Sequence, residues 1–237
     1  MTELLTFSAA QVTPDRAAVF ETQGLPAGQE VPEGTETLYT AAIDLFAEAA
    51  APVGILSEIS PADFEIVYHG EGRNEPRTPV GDIFGRADRL ALFVVTLGEA
   101  ISREIAARFG ARDFALGYML DSVASTAADH AAKVAERRFL EGLSRTRPLA
   151  PGTGVLCYSP GYCGWDISGQ KKLFEFLHPE PIGVTLRDSF LMQPLKSVSG
   201  VLIAGPKALH RFSNDYPFCS RCETLSCRER VRTGMAE

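Results

Sequence analysis

Apolar positions spaced by threes and fours carry the strongest signal along this chain. Over 113–142, Leu116, Leu120, Val123, Ala127, Ala131 and Val134 form the stripe of one long helix. Asp121, Ser125 and Asp129 recur every four residues on a different face. Leu38, Ala42, Leu45, Phe46 and Ala49 predict a helix over 35–51, which Pro52 stops. Gly98 opens another, with Ile101, Ile105 and Phe109 on one face and Gly110 as its C-cap. A further helix is predicted over 168–177, with His178 capping its end. Residues 90–96 (LALFVVT) are a continuous apolar run of strand length, as a strand buried on both faces would be. Residues 66–68 and 201–204 predict two more strands. Residues 1–34, punctuated by Pro14, Pro26 and Pro32, read as strand or loop. Residues 70–79 read as a polar loop and 148–154 as a linker. Helices followed by mixed short strands predict an α+β domain rather than a doubly wound one.

Composition narrows the class. With 237 residues and 45% hydrophobic positions, the chain has material for a full core. Its net charge of −7 argues against a nucleic-acid partner, since phosphate neutralisation needs a basic face. No apolar run approaches the roughly 18 residues of a membrane span. Met1-Thr2-Glu3-Leu4 lacks the basic and apolar regions of a secretory signal. The cytoplasm is the expected compartment, where cysteines serve as thiols or ligands rather than disulfides.

Three segments invite a chemical reading: Ser159-Pro160-Gly161-Tyr162-Cys163-Gly164-Trp165, Asp188-Ser189-Phe190-Leu191-Met192-Gln193-Pro194 and Lys196-Ser197-Val198-Ser199-Gly200. Proline beside glycine marks a tight turn. Its open N–H groups could take a carboxylate, and Tyr162 could face an adenine ring or a sulfonium cation. A plain β-turn around core aromatics fits the same residues. Asp188 could hold an ammonium or ribose hydroxyls, or simply cap a turn. Ser197 and Ser199 alternate with apolar neighbours, as in a half-buried strand whose small side chains leave room for a flat ligand.

Together these segments resemble the AdoMet-binding activation domain of cobalamin-dependent methionine synthase, in their order and spacing. The likeness covers about 90–212 and is most specific over 157–200. It implies a C-shaped α+β fold with a central twisted antiparallel sheet and helices. It also implies a stand-alone reactivation subunit supporting AdoMet-dependent reductive methylation of cob(II)alamin. The partners implied are a corrinoid-binding methyltransferase, or its cobalamin module, and an electron donor protein. Such a chain is an accessory component, positioning two cofactors without a general base. The cofactor-binding residues implied are Ser159, Gly161, Tyr162, Asp188, Ser189, Ser197 and Ser199, with Asp121 on the long helix as a further candidate. The expected organisation is an N-terminal strand and helix segment over 1–60, an activation-domain-like core over 61–212 and a cysteine-containing tail over 213–237.

One position departs from the family pattern. Cys157 stands where the family commonly places an arginine that pairs with the AdoMet carboxylate. Losing a bidentate, partly buried pair costs about 2–4 kcal/mol. This motivates an alternative: a corrinoid-protein-binding or metal-carrying module that does not use AdoMet.

Outside the resemblance lies Cys219-x-x-Cys222-x4-Cys227. Thiolates at this spacing suit zinc or an iron–sulfur cluster, with Cys163 or Cys157 as a fourth ligand. A Cys-x-x-Cys redox pair and a surface tail of reduced thiols are rival readings. A structural zinc protein with an unrelated partner is a third function class. His69, His130, His178 and His210 show no metal-binding spacing.

Overall fold

Strand β3 (Arg89–Thr96) occupies the middle of a five-stranded antiparallel sheet. The computed structural model describes residues 2–25, 28–146, 149–212 and 216–218. The sheet order is β1 (Thr2–Thr6), β2 (Val53–Ile59), β3, β7 (Ser197–Pro206) and β4 (Thr153–Tyr158). The apolar run in β3 has a direct cause: both of its faces are covered. Ala91, Phe93 and Val95 enter one core, and Leu90, Leu92 and Val94 enter the other.

The first core lies under helices α1 (Ala9–Val12), α2 (Arg16–Thr22), α3 (Glu33–Ala49), α6 (Glu99–Gly110) and α7 (Phe114–Thr146). In α7, Ala124, Ala127, Ala128, Ala131, Ala132 and Ala135 are all buried, and the helix touches β3, β4 and β7. Their small side chains let the helix axis sit close to the sheet. A bulkier residue there overpacks at a cost of about 1–3 kcal/mol. The second core is aromatic. It lies under α4 (Pro61–His69), α5 (Pro79–Ile83) and α8 (Gly169–Leu177) and holds Phe64, Tyr158, Trp165 and Phe174.

Much of the predicted pattern is present. Helices α3, α6, α7 and α8 and strand β3 stand where periodicity placed them. Gly98 is the N-cap of α6 at φ 85°, which glycine tolerates without strain. That helix runs through Gly110, so its C-cap is Ala111, one residue later than expected. His178 caps α8 in the left-handed conformation. Strand β7 extends well beyond the predicted 201–204 and takes in the whole Ser-Val-Ser-Gly segment.

Three readings change. Residues 66–68 are not a strand but the last turns of α4. Ser60 accepts a hydrogen bond from the Asp63 N–H at 3.1 Å, and Pro61 opens the helix. Phe64 and Val67 are buried three apart and Tyr68 packs half-buried against the same core, while Ile66 is 64% exposed, so the apolar triplet follows a helical face rather than strand alternation. Strand β2 was not predicted at all, yet it pairs with β3 along its full length and with β1 from Val53 to Ser57. Residues 1–34 hold two short helices besides β1. The first carries a full capping box, in which Ser8 bonds the Gln11 N–H and Gln11 returns the bond. The sheet runs across residue 60, since β1 and β2 join the same layer as β3, β7 and β4. No helix of the described residues is long and apolar enough to cross a membrane.

Candidate functional site

Strand β4 is an edge strand that delivers the chain to a tight turn over 159–168, which then feeds α8. The turn winds through positive φ at Gly161 (91°), Cys163 (51°) and Gly164 (76°). It is closed from inside. The Gly161 N–H donates to the Trp165 carbonyl at 2.7 Å, and the Trp165 N–H donates to the Tyr162 carbonyl at 3.0 Å. The Tyr162 N–H donates to the Ser159 carbonyl at 3.3 Å. The expected open N–H groups at Gly161 and Tyr162 are therefore already engaged. What the turn offers outward is the Tyr162 ring, 56% exposed.

Trp165 anchors the turn to the second core at 1% exposure. Its ring meets Phe64 edge-on at 5.8 Å and Tyr68 at 5.9 Å. A Cβ on Gly169 would lie 2.4 Å from the Trp165 Nε1, so only glycine lets α8 begin there. That Nε1 is buried and has no hydrogen-bond partner among the described residues. Loop 70–78 backs the turn. The Asn74 side chain donates to the Tyr68 carbonyl at 2.6 Å and accepts the Asp166 N–H at 2.9 Å. The Glu75 N–H donates to the Gly164 carbonyl at 2.9 Å. The Asp166 carboxyl lies below its usual range. A bond from the Ser168 hydroxyl is the main cause, helped by the Ser168 N–H and the charge of Arg73 and opposed by desolvation.

The start of β7 presses directly on this turn. A Cβ on Gly200 would sit 2.2 Å from the Tyr158 carbonyl oxygen and 3.1 Å from the Ser159 hydroxyl. The Ser199 hydroxyl, buried, donates to the Gln170 side chain in α8 at 3.0 Å. Ser197 donates to the Pro194 carbonyl at 2.7 Å and shares a 2.8 Å hydrogen bond with Thr96. The structure thus brings Ser159, Gly161 and Tyr162 together in the turn, with Ser199 bonded to the helix that the turn feeds, while Ser197 is bonded to Thr96 and Pro194 at the start of β7.

Asp188 and Ser189 stand apart from that neighbourhood. They are exposed at the tip of a small hairpin formed by β5 (Thr185–Leu186) and β6 (Met192–Gln193). The Arg187 N–H donates to the Leu191 carbonyl at 2.9 Å, and Phe190 turns the chain at φ 62°. Among the described residues, no hydrogen bond ties Asp188 or Ser189 to the turn. Asp121 has a protein partner: its carboxylate pairs with the Lys196 ammonium at 2.7 Å. Cys157 points toward the first core, its Sγ 3.8 Å from the Ser159 hydroxyl. Its N–H donates to the Glu136 carboxylate of α7 at 2.6 Å.

The sequence reading placed Lys196 at the head of the third motif segment without giving it a role, and it missed Gln170, Asn74 and Glu136. Lys196 left one usable clue, a cation in an otherwise small and apolar approach to a buried strand. Gln170 and Glu136 bond partners 29 and 21 positions away, and Asn74 reaches Asp166 92 positions on, so they left none.

Of the metal candidates, Cys219, Cys222 and Cys227 lie outside the described residues. Cys163 is half-buried in the turn, and no group of three or more His, Cys, Asp or Glu side chains gathers among the described residues. Two surface cavities lie elsewhere. One of about 350 Å³ is lined by Asp88, Arg89, Leu143 and Thr153, and one of about 480 Å³ by Glu3, Arg137, Arg138 and Arg145.

Comparison with known proteins places this arrangement. The family model described as vitamin B12 dependent methionine synthase, activation domain, matches residues 81–214. No curated protein matches the chain. Among solved structures, the MetH reactivation domain bound to AdoHcy is similar, with a TM-score of 0.66 at 18% identity. That match covers 98% of this chain and 88% of the other, and at this identity it establishes the fold.

Proposed function

The chain belongs to the vitamin B12 dependent methionine synthase activation domain family, and from that membership we propose that it acts as a reactivation module. In this reading it binds AdoMet and presents it to a cobalamin held by a corrinoid-binding partner. The carrying observation is the family match over 81–214, a span that holds β3, α7, β4, the glycine turn and β7 together. The AdoHcy bound by the structural neighbour, which is what AdoMet becomes after methyl donation, supports the same ligand class.

The residues present fit such a ligand in part. The exposed Tyr162 ring suits an adenine or a sulfonium cation, and the exposed Asp188 carboxylate suits an ammonium or ribose hydroxyls. Gly200 keeps a side chain out of the close approach between turn and strand, and Gly161 takes the positive φ of the turn beside Ile167. When bound, AdoMet supplies a methyl group to cobalt while an external donor supplies one electron to cob(II)alamin. The chain's residues bind, orient and exclude water. A second reading, a corrinoid-protein-binding module that does not use AdoMet, is favoured by two observations. Cys157, unlike arginine, offers no cation to meet a carboxylate, and the Gly161 and Tyr162 N–H groups are already engaged.

Calorimetric titration of AdoMet into the full chain, purified without oxygen, separates the two. Saturable one-to-one binding supports the reactivation module. Absence of heat at about millimolar ligand, well above any useful affinity, leaves the second reading.

A further inference from the structure

We propose that Lys196 is the positioning residue of this site: its ammonium latches the connector between the hairpin and β7 onto α7, and so sets where Asp188 stands relative to the glycine turn. The proposal rests on the AdoMet-binding reading above.

Lys196 is 8% exposed, an unusual place for an ammonium. Burying that charge is costly unless its donors find acceptors. Here three acceptors meet it. They are the Asp121 carboxylate at 2.7 Å, the Ser125 hydroxyl at 2.7 Å and the Asp121 carbonyl at 3.3 Å. Asp121 and Ser125 lie one turn apart on α7, so a single rotation of the helix presents both to one cation. The Lys196 carbonyl meanwhile accepts the Leu97 N–H at 2.9 Å, just past the end of β3. Lys196 therefore ties α7 and the end of β3 to the connector.

The hairpin has little else on that side. Leu186 and Met192 touch the second core, while Leu191 and Leu195 are 49% and 63% exposed. An apolar side chain at 196 would bury as well as lysine does, but it would hold no direction. With Asp121 41% exposed, the pair adds little net stability, so what it contributes is direction: three acceptors fix where the ammonium sits. That combination is what a positioning role needs, with the candidate ligand carboxylate only a few residues upstream.

The test uses Lys196→Met in the full chain, with Ser125→Ala as a milder variant that removes one acceptor at an exposed position. Two readouts are taken, amide hydrogen exchange of 185–193 without ligand and calorimetric AdoMet affinity. Losing hydrogen bonds to a charged group predicts hairpin exchange about tenfold faster in Lys196→Met, with the β3–β7 amides unchanged. Affinity falls by about tenfold, and Ser125→Ala moves both readouts the same way by less. If the native chain binds AdoMet and Lys196→Met binds it equally well, the proposal is overturned. If the native chain does not bind AdoMet, the AdoMet reading fails by itself. Exchange then decides whether Lys196 holds the hairpin: faster exchange upholds the latch, and unchanged exchange overturns it. If Lys196→Met does not fold, the Ser125→Ala readouts decide in the same way.

Discussion

The glycine turn over 159–168 and the hairpin over 185–193 both carry residues of the motif, and they are built in opposite ways. In the turn, Trp165 is 1% exposed, the backbone closes on itself, and β7 leans on the Tyr158 carbonyl so closely that only glycine fits at 200. In the hairpin, Asp188 and Ser189 face solvent, and Lys196 in the connector that follows is paired with Asp121 of α7. Residues in the first region are held by packing, so their identity follows from space. In the second, Leu186 and Met192 touch the core, but Asp188 and Ser189 at the tip have no packing reason to be what they are. An exposed acidic side chain at a motif position is thus the stronger indication of ligand contact, and a motif glycine the stronger indication of fold.

The largest effect that would break this contrast is at Gly200. Gly200→Ala puts a Cβ against backbone, which cannot rotate away, so destabilisation of about 3 kcal/mol is expected, at the upper end of overpacking effects. Denaturant unfolding reads it directly, and a loss within about 0.5 kcal/mol, the range of a surface change, would mean the turn is not held by β7. Next comes Asp188. Asp188→Asn leaves stability within about 0.5 kcal/mol of the native chain, as surface changes do. It weakens AdoMet binding about tenfold, as loss of one charge-assisted bond does. Equal affinity for both chains would move the ligand's polar anchor away from the hairpin.

The smallest effect sharpens the turn side. The folded-state Asp166 carboxyl is depressed, so its contribution is present above the unfolded value and is lost as pH falls through the folded one. Asp166→Asn should therefore cost stability at neutral pH, by less than about 1 kcal/mol, the size of a capping or turn contact. The gap between the two chains should close as pH is lowered through the acidic range. A pH-independent gap would show that Asp166 acts through shape rather than charge.

The one-dimensional pattern determined the long helix, the central strand and the glycine turn. Each is decided by burial or backbone freedom within a few consecutive residues. Periodicity marks α7 because one stripe faces the sheet. The unbroken run in β3 marks burial on both faces, and Pro160-Gly161 marks a turn in any context. The order and spacing of the motif segments led to the family without any geometry. Only the tertiary structure decided the rest. Strand β2 has an ordinary local sequence and becomes a strand by pairing with β1 and β3. Residues 66–68 join a helix because Ser60 and Pro61 start one and Phe64 and Val67 find the aromatic core. The Lys196 latch joins residues some seventy positions apart, and the Gly161 N–H is closed off by a carbonyl across the turn. These outcomes depend on partners brought together by long-range packing, where the nearest neighbours in sequence carry no record of them.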